Sequence, residues 1–142
     1  MSDNVVYRLF PEPIFKYKLK NFEDLNKKLS QYIYQLKDED SEGLKKSNKG
    51  GWHSKPFKLG NEDTIQQTFA KEIQKNIFDV FQKYGWKTKN VPITIQEMWA
   101  IINKNLDFNV LHSHPNCYLS AAYYVKAPKN CGKFEIECPN IA

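Results

Sequence analysis

Apolar residues recur at three- and four-residue steps over two stretches of this chain, and farther along the period drops to two. In the first stretch Phe22, Leu25, Leu29, Ile33 and Leu36 form one stripe, which predicts an amphipathic helix from about Phe22 to Leu36. Asn21 stands where a cap belongs, and Glu23 and Asp24 in the first turn complement the helix dipole. A second helix is predicted to start near Asn61, with Glu62 and Asp63 in its first turn. Its stripe is Ile65, Phe69, Ile73, Ile77, Val80, Phe81 and Tyr84, and Gly85 is a natural stop. Ahead of both, Val5 to Phe10 reads as a short strand leaving through Pro11-Glu12-Pro13. The segment from Lys37 to Leu59 is polar and irregular.

From Val91 onward residues alternate. Ile93, Ile95, Trp99 and Ile101 line one face of a predicted strand, and Thr94, Gln96, Met98, Ala100 and Ile102 the other. Further strands are predicted at Phe108 to His114, Tyr118 to Lys126 and Gly132 to Glu137, the last with Phe134 and Ile136 facing inward. Asn105-Leu106-Asp107 and Pro128-Lys129-Asn130 supply turns. Helices followed by a run of antiparallel strands predict an α+β domain with a sandwich-like sheet. The 142 residues suit one domain, 1–142, with a helical part over 1–90 and a strand part over 91–142.

Composition narrows the class. Hydrophobic residues at 41% and scattered charges describe a folded chain. The net charge of +5 invites a nucleic-acid reading, but the lysines are dispersed from Lys16 to Lys89 and no binding motif accompanies them, so no nucleic-acid partner is expected. Cys117, Cys131 and Cys138 form no Cys-x-x-Cys pair and are expected as reduced, small apolar fillers. Met1-Ser2-Asp3-Asn4 has neither the basic nor the apolar part of a leader, and no apolar run reaches membrane-span length; a soluble, cytoplasmic protein with no membrane partner is expected. Phosphate loops, Ser-His-Asp order and kinase signatures are absent from the sequence.

The chemistry concentrates in Phe108-Asn109-Val110-Leu111-His112-Ser113-His114-Pro115. On an extended strand Phe108, Val110, His112 and His114 share one side, so two imidazoles project together at the end of an apolar face. Such a pair suits a borderline metal such as iron, zinc or copper, and equally a hydrogen-bonded strand end. His53 follows Gly50-Gly51-Trp52 in a predicted loop, where it is either a third contact to a metal or substrate or a solvent-exposed side chain. Tyr123 and Tyr124 point to opposite faces, one packing and the other open to a ligand. Tyr124 shares its face with the small residues Ser120 and Ala122. Asn103 closes a strand, where its amide serves a ligand or a turn.

The blocks Trp99-Ala100-Ile101-Ile102-Asn103, His112-Ser113-His114-Pro115-Asn116 and Leu119-Ser120-Ala121-Ala122-Tyr123-Tyr124-Val125-Lys126-Ala127-Pro128 resemble a family of 2-oxoglutarate/Fe(II)-dependent oxygenases. That family carries His-x-His-Pro-(Asn/Gly)-Ser followed by Ser-Gly-Val-Tyr-Tyr-Val-x-x-Pro. Gly50-Gly51-Trp52-His53-Ser54 is similar to its Gly-Gly-Trp-x-Ser element, so the resemblance runs from about Phe10 to the last residue. It implies a double-stranded β-helix (jelly roll) preceded by helices, iron held by His112 and His114, and 2-oxoglutarate as co-substrate, with a tyrosine hydroxyl (Tyr123 or Tyr124) and Asn103 as candidates to hold it. It also implies a distal His ligand and an Arg or Lys that pairs with the far carboxylate of the oxo-acid.

The sequence departs from this pattern beyond His114, where there is no further His and no Arg, and where Lys126, Lys129 and Lys133 precede the place of the anchor. Ala121 stands where the family often has Gly, and Cys138-Pro139-Asn140 where it tends to have Asp-Pro-Arg. A jelly roll needs about eight strands, and roughly half are legible. The chain therefore reads as a fragment of a longer enzyme, a short form completed by a second subunit, or a fold that has lost catalysis. The expected function is a dioxygenase hydroxylating an unidentified substrate, a small molecule or a protein. The alternatives are an inactive jelly-roll binding or assembly module, with homo-oligomerisation completing the sheet, and a cupin-like metal protein without 2-oxoglutarate.

Overall fold

A computed structural model describes residues 12–60 and 63–138; the expected strand at Val5 to Phe10 lies outside them. Helix α1 spans Phe22–Glu39. Its apolar stripe turns inward through Leu25 and Leu29, the latter only 1% exposed. Asn21 precedes it in the left-handed region at φ 51° and makes no side-chain cap, so the expected capping bond is replaced by a sharp backbone entry. The helix runs three residues past Leu36 and ends where the Asp40 amide donates to Leu36 O at 3.0 Å.

Two short strands follow, β1 (Asn48–Lys49) and β2 (Trp52–His53), and then helix α2 (Ile65–Lys83). Asp63 lies ahead of this helix, whose N-cap is Thr64. The expected stop at Gly85 is observed, with φ 69°. The Gly85 amide donates to Gln82 O at 2.9 Å and the Trp86 amide to Phe81 O at 3.1 Å, while the Trp86 ring packs on Phe81 at 4.9 Å. This is the glycine-terminated cap that satisfies the last carbonyls of a helix. Strands β3 (Ile101–Ile102) and β4 (Phe108–Asn109) complete the elements.

The stretch read from sequence as irregular, Lys37 to Leu59, supplies the partner for both later strands. β1 pairs antiparallel with β4 (Asn48 opposite Asn109, Lys49 opposite Phe108), and β2 with β3 (Trp52 opposite Ile102, His53 opposite Ile101). Further bonds lengthen the ladder at both ends: Val110 N to Ser47 O, Ser54 N to Ala100 O and Phe57 N to Met98 O. One ribbon therefore joins residues 47–57 to 98–110. Its ladder is interrupted where the two residues Gly50-Gly51 face the five residues 103–107. Lys104 to Asp107 bulges out as a turn, closed by the Asp107 carboxylate on the Lys104 amide at 2.7 Å. The expected turns at Asn105-Leu106-Asp107 and Pro128-Lys129-Asn130 are both present, with Leu106 and Asn130 at positive φ.

The core forms where the helices meet this ribbon: Leu29, Phe69, Ala70 and Met98 cluster, with Ile73, Ile95, Phe57, Tyr123 and Val125 packed around them. Met98 and Ala100 are buried and Ile101 is exposed, so of the two predicted faces the one that carries Met98 and Ala100 turns inward near the strand end. Ile95 and Met98 both turn inward three residues apart, which breaks the alternation between them. Asn26 of α1 donates to Val125 O at 3.0 Å and accepts from the Tyr123 hydroxyl at 2.6 Å, tying the later segment to the helix.

Among the described residues the architecture is α+β, two helices with small antiparallel ladders, and these elements do not by themselves show the expected jelly roll. Residues 118–126 and 132–137 are not in strands. Phe134 and Ile136 are exposed at 64% and 56%, contrary to the inward placement expected of them. A strand buries its apolar face only against a second layer, and no described element covers these two. The three cysteines are exposed rather than buried fillers. No helix among the described residues is long and apolar enough to cross a membrane.

Candidate metal centre

The ribbon sorts its side chains by alternation. Trp52 and Ser54 on one strand, and Ala100 on the other, turn toward the helices and are buried. Trp52 Nε1 donates to Asp40 O at 2.7 Å, fixing the ribbon to the end of α1. Lys55 pairs with the Asp40 carboxylate at 2.8 Å. The Lys55 ammonium first, and then the Gly43 amide, hold that carboxyl below its ordinary value. Ser54 Oγ accepts from the Ala100 amide at 2.9 Å and donates to Lys55 O at 2.7 Å, so its buried hydroxyl is fully used.

His53 and Trp99 take the other face. His53 is not in an exposed loop: it lies in β2, 6% exposed, because its strand is paired on β3. Its ring stacks on Trp99 with centroids 5.7 Å apart and planes 13° apart, and its Nδ1 lies 2.7 Å from Ser54 O. A carbonyl only accepts, so Nδ1 carries the proton. The Trp99 indole also stacks on His114 at 5.5 Å, and His114 meets His112 edge-on at 4.9 Å and 64°. Four rings thus form a row, His53, Trp99, His114 and His112, running from buried to exposed.

The alternation that predicted His112 and His114 on one side is matched by the proximity of their rings. Imidazole nitrogens each about 2.1 Å from one ion place neighbouring ring centres roughly 5 Å apart, and the observed separation is close to this. His112 Nδ1 lies 2.7 Å from Val110 O, so Nδ1 carries the proton and Nε2 presents its lone pair outward. That tautomer leaves Nε2 free to bind a metal. The donor set suits two positions of an iron or zinc site. Among the described residues no third His, Cys, Asp or Glu joins them, and His53 reaches the pair through the indole of Trp99.

The other candidates separate. Tyr123 packs on Phe69 with centroids 4.8 Å apart, and burial raises its hydroxyl above the ordinary value; it is the packing member of the tyrosine pair. Tyr124 is 55% exposed. Asn103 serves the turn: its Nδ2 donates to Asn109 Oδ1 at 3.2 Å, and its Oδ1 lies against Gly51. Sequence reasoning set Trp99 on a strand face with Ile101 and gave it no part in the site. The signal that finds it is its two-residue offset from Ile101, the residue opposite His53.

A family model described as "Putative 2OG-Fe(II) oxygenase" matches residues 97–142, a segment that contains Trp99, His112, His114 and the tyrosine pair but less than half of the chain. No curated protein matches the chain. No solved structure matches it either.

Proposed function

We propose that residues 97–142 form part of an Fe(II)- and 2-oxoglutarate-dependent oxygenase site in which His112 and His114 hold the metal. The observation that carries this is the 4.9 Å approach of the two rings within the segment matched by the oxygenase family. Iron bound there would couple the oxidative decarboxylation of 2-oxoglutarate to oxidation of a substrate C–H bond. The part played by the chain is to present two neutral imidazoles on one side of the ion, with His112 oriented by the Val110 carbonyl. Tyr124, 55% exposed, is the tyrosine hydroxyl available to a co-substrate carboxylate. No third His, Cys, Asp or Glu converges on the two rings among the described residues, so the third protein ligand, and with it the cationic anchor for the far carboxylate, is drawn from another chain. A second copy of the chain supplies them while covering the exposed apolar side chains of residues 134–136.

The test is anaerobic titration of the purified chain with ferrous salt, followed by an assay for succinate formed from 2-oxoglutarate in air. Iron binding that disappears in His112→Ala, with succinate formed only by the wild type, is the expected result. A chain that binds no ferrous ion refutes it. The absence of a third ligand among the described residues favours one other reading, a non-catalytic assembly module that retains the fold. It predicts association without oxo-acid turnover and no effect of His112→Ala on that association.

A further inference from the structure

His112 and His114 are oriented by different means. His112 has its Nδ1 fixed on Val110 O at 2.7 Å. No hydrogen bond reaches the His114 ring among the described residues; its contacts there are the edge of His112 and the face of Trp99, 27° from parallel at 5.5 Å. The indole is fixed in turn by the His53 ring, 13° from parallel and 6% exposed, whose Nδ1 is tied to the backbone of its own strand. An aromatic stack confines ring tilt and direction because offset and edge geometries are favoured over others. A histidine lacking the usual hydrogen-bonded partner therefore acquires its orientation from a stack rooted in the ribbon.

We propose that Trp99, backed by the buried His53, is a positioning residue that pre-sets the His114 imidazole for metal binding. This rests on the reading of His112 and His114 as metal ligands and extends it to two side chains that touch neither metal nor substrate. His53 thereby has a role without reaching the ion. Stacking replaces at His114 what the Val110 carbonyl does at His112.

The experiment titrates the full chain with cobaltous ion as an oxygen-stable probe of the iron site, recording both affinity and the visible ligand-field spectrum, which reports the geometry around the ion. Helix content by circular dichroism confirms that each variant is folded. Trp99→Leu keeps bulk but loses the ring, and is expected to weaken cobalt binding about 5-fold and to shift the visible bands. Trp99→Phe keeps a stacking face and is expected to restore affinity to within about 2-fold, with the wild-type spectrum. His53→Gln removes only the backing ring, so a weakening of about 2-fold with altered bands is expected. Trp86→Leu, in the separate aromatic group at the end of α2, leaves both readouts unchanged.

If Trp99→Leu or, should that variant not fold, His53→Gln binds cobalt with wild-type affinity and spectrum, the positioning role is refuted while the ligand assignment stands. A wild type that binds no cobalt refutes the ligand assignment and this inference with it.

Discussion

Gly51 sits in the break of the ribbon at φ 59°, and a Cβ built on it meets the Asn103 side-chain oxygen and lies 3.1 Å from Ile102 O. Two costs add on Gly51→Ala. Holding an L-residue in the left-handed region costs about 1–2 kcal/mol, and forcing a methyl against a neighbouring strand costs about 1–3 kcal/mol. The expected loss is about 2–5 kcal/mol. Two other glycines separate these contributions. Gly85 has φ 69° and open space around the Cβ position, so Gly85→Ala carries the backbone cost alone, about 1 kcal/mol. Gly60 has neither constraint, and Gly60→Ala is expected to stabilise by about 0.5 kcal/mol through the unfolded chain. Urea unfolding followed by circular dichroism at 222 nm (roughly the helix minimum) reads all three. For a domain of this size each kcal/mol moves the thermal midpoint by about 3 °C. Gly51→Ala falling within about 0.5 kcal/mol of Gly85→Ala would show that the close approach of Gly51 to Asn103 and Ile102 is wrong, and with it the register that brings β2 onto β3.

Leu29→Ala, at the most buried apolar position of the core cluster, is expected to cost about 3 kcal/mol in the same assay. Tyr123→Phe removes the hydroxyl that bonds Asn26 and is expected to cost about 1 kcal/mol; Tyr124→Phe, at an exposed position, is expected to stay within about 0.5 kcal/mol of wild type. Tyr17 donates to Asp79 at 2.5 Å and Lys83 pairs with the same carboxylate at 2.6 Å. Lys83 first, then Tyr17, lowers the Asp79 carboxyl below 3.8, whereas the Asp79 hydrogen bond raises the Tyr17 hydroxyl above 10.0. The carboxylate contribution is thus present above 3.8 and lost as pH falls through the lower folded value, and the phenol contribution is present below 10.0 and lost as pH rises through the higher one. The difference in thermal midpoint between wild type and Asp79→Asn should be flat across neutral pH and shrink at both extremes; a difference that is the same at pH 3 and pH 7 (about one unit below and three above the ordinary carboxyl value) would refute the assignment.

Both helices were legible because an amphipathic stripe is a local signal: Leu29 and Phe69 lie on stripes spaced by three and four residues, and each is buried. The glycine stop at Gly85 was legible for the same reason, since a positive φ is a property of one residue. Proximity of His112 and His114 was legible from their separation of two residues, although the strand expected to carry them ends at Asn109. The partner of these strands did not. Residues 47–57 are polar enough to read as a loop, and they join the ribbon through bonds to residues about 40 to 60 positions away, with a three-residue difference in loop length that no local pattern encodes.

Sequence by itself thus determined the two helices, their inward faces and the closeness of two imidazoles, although β4 ends at Asn109 and neither His112 nor His114 lies in a strand. Tertiary structure decided which face of residues 98–102 is buried, that His53 belongs to a strand, and that the Trp99 ring lies against His53 and His114. Periodicity states which residues share a face, but which face turns inward depends on what packs there. Here the small side chain of Ala100 and the flexible one of Met98 lie toward the helices, and the indole is left on the side of the histidines.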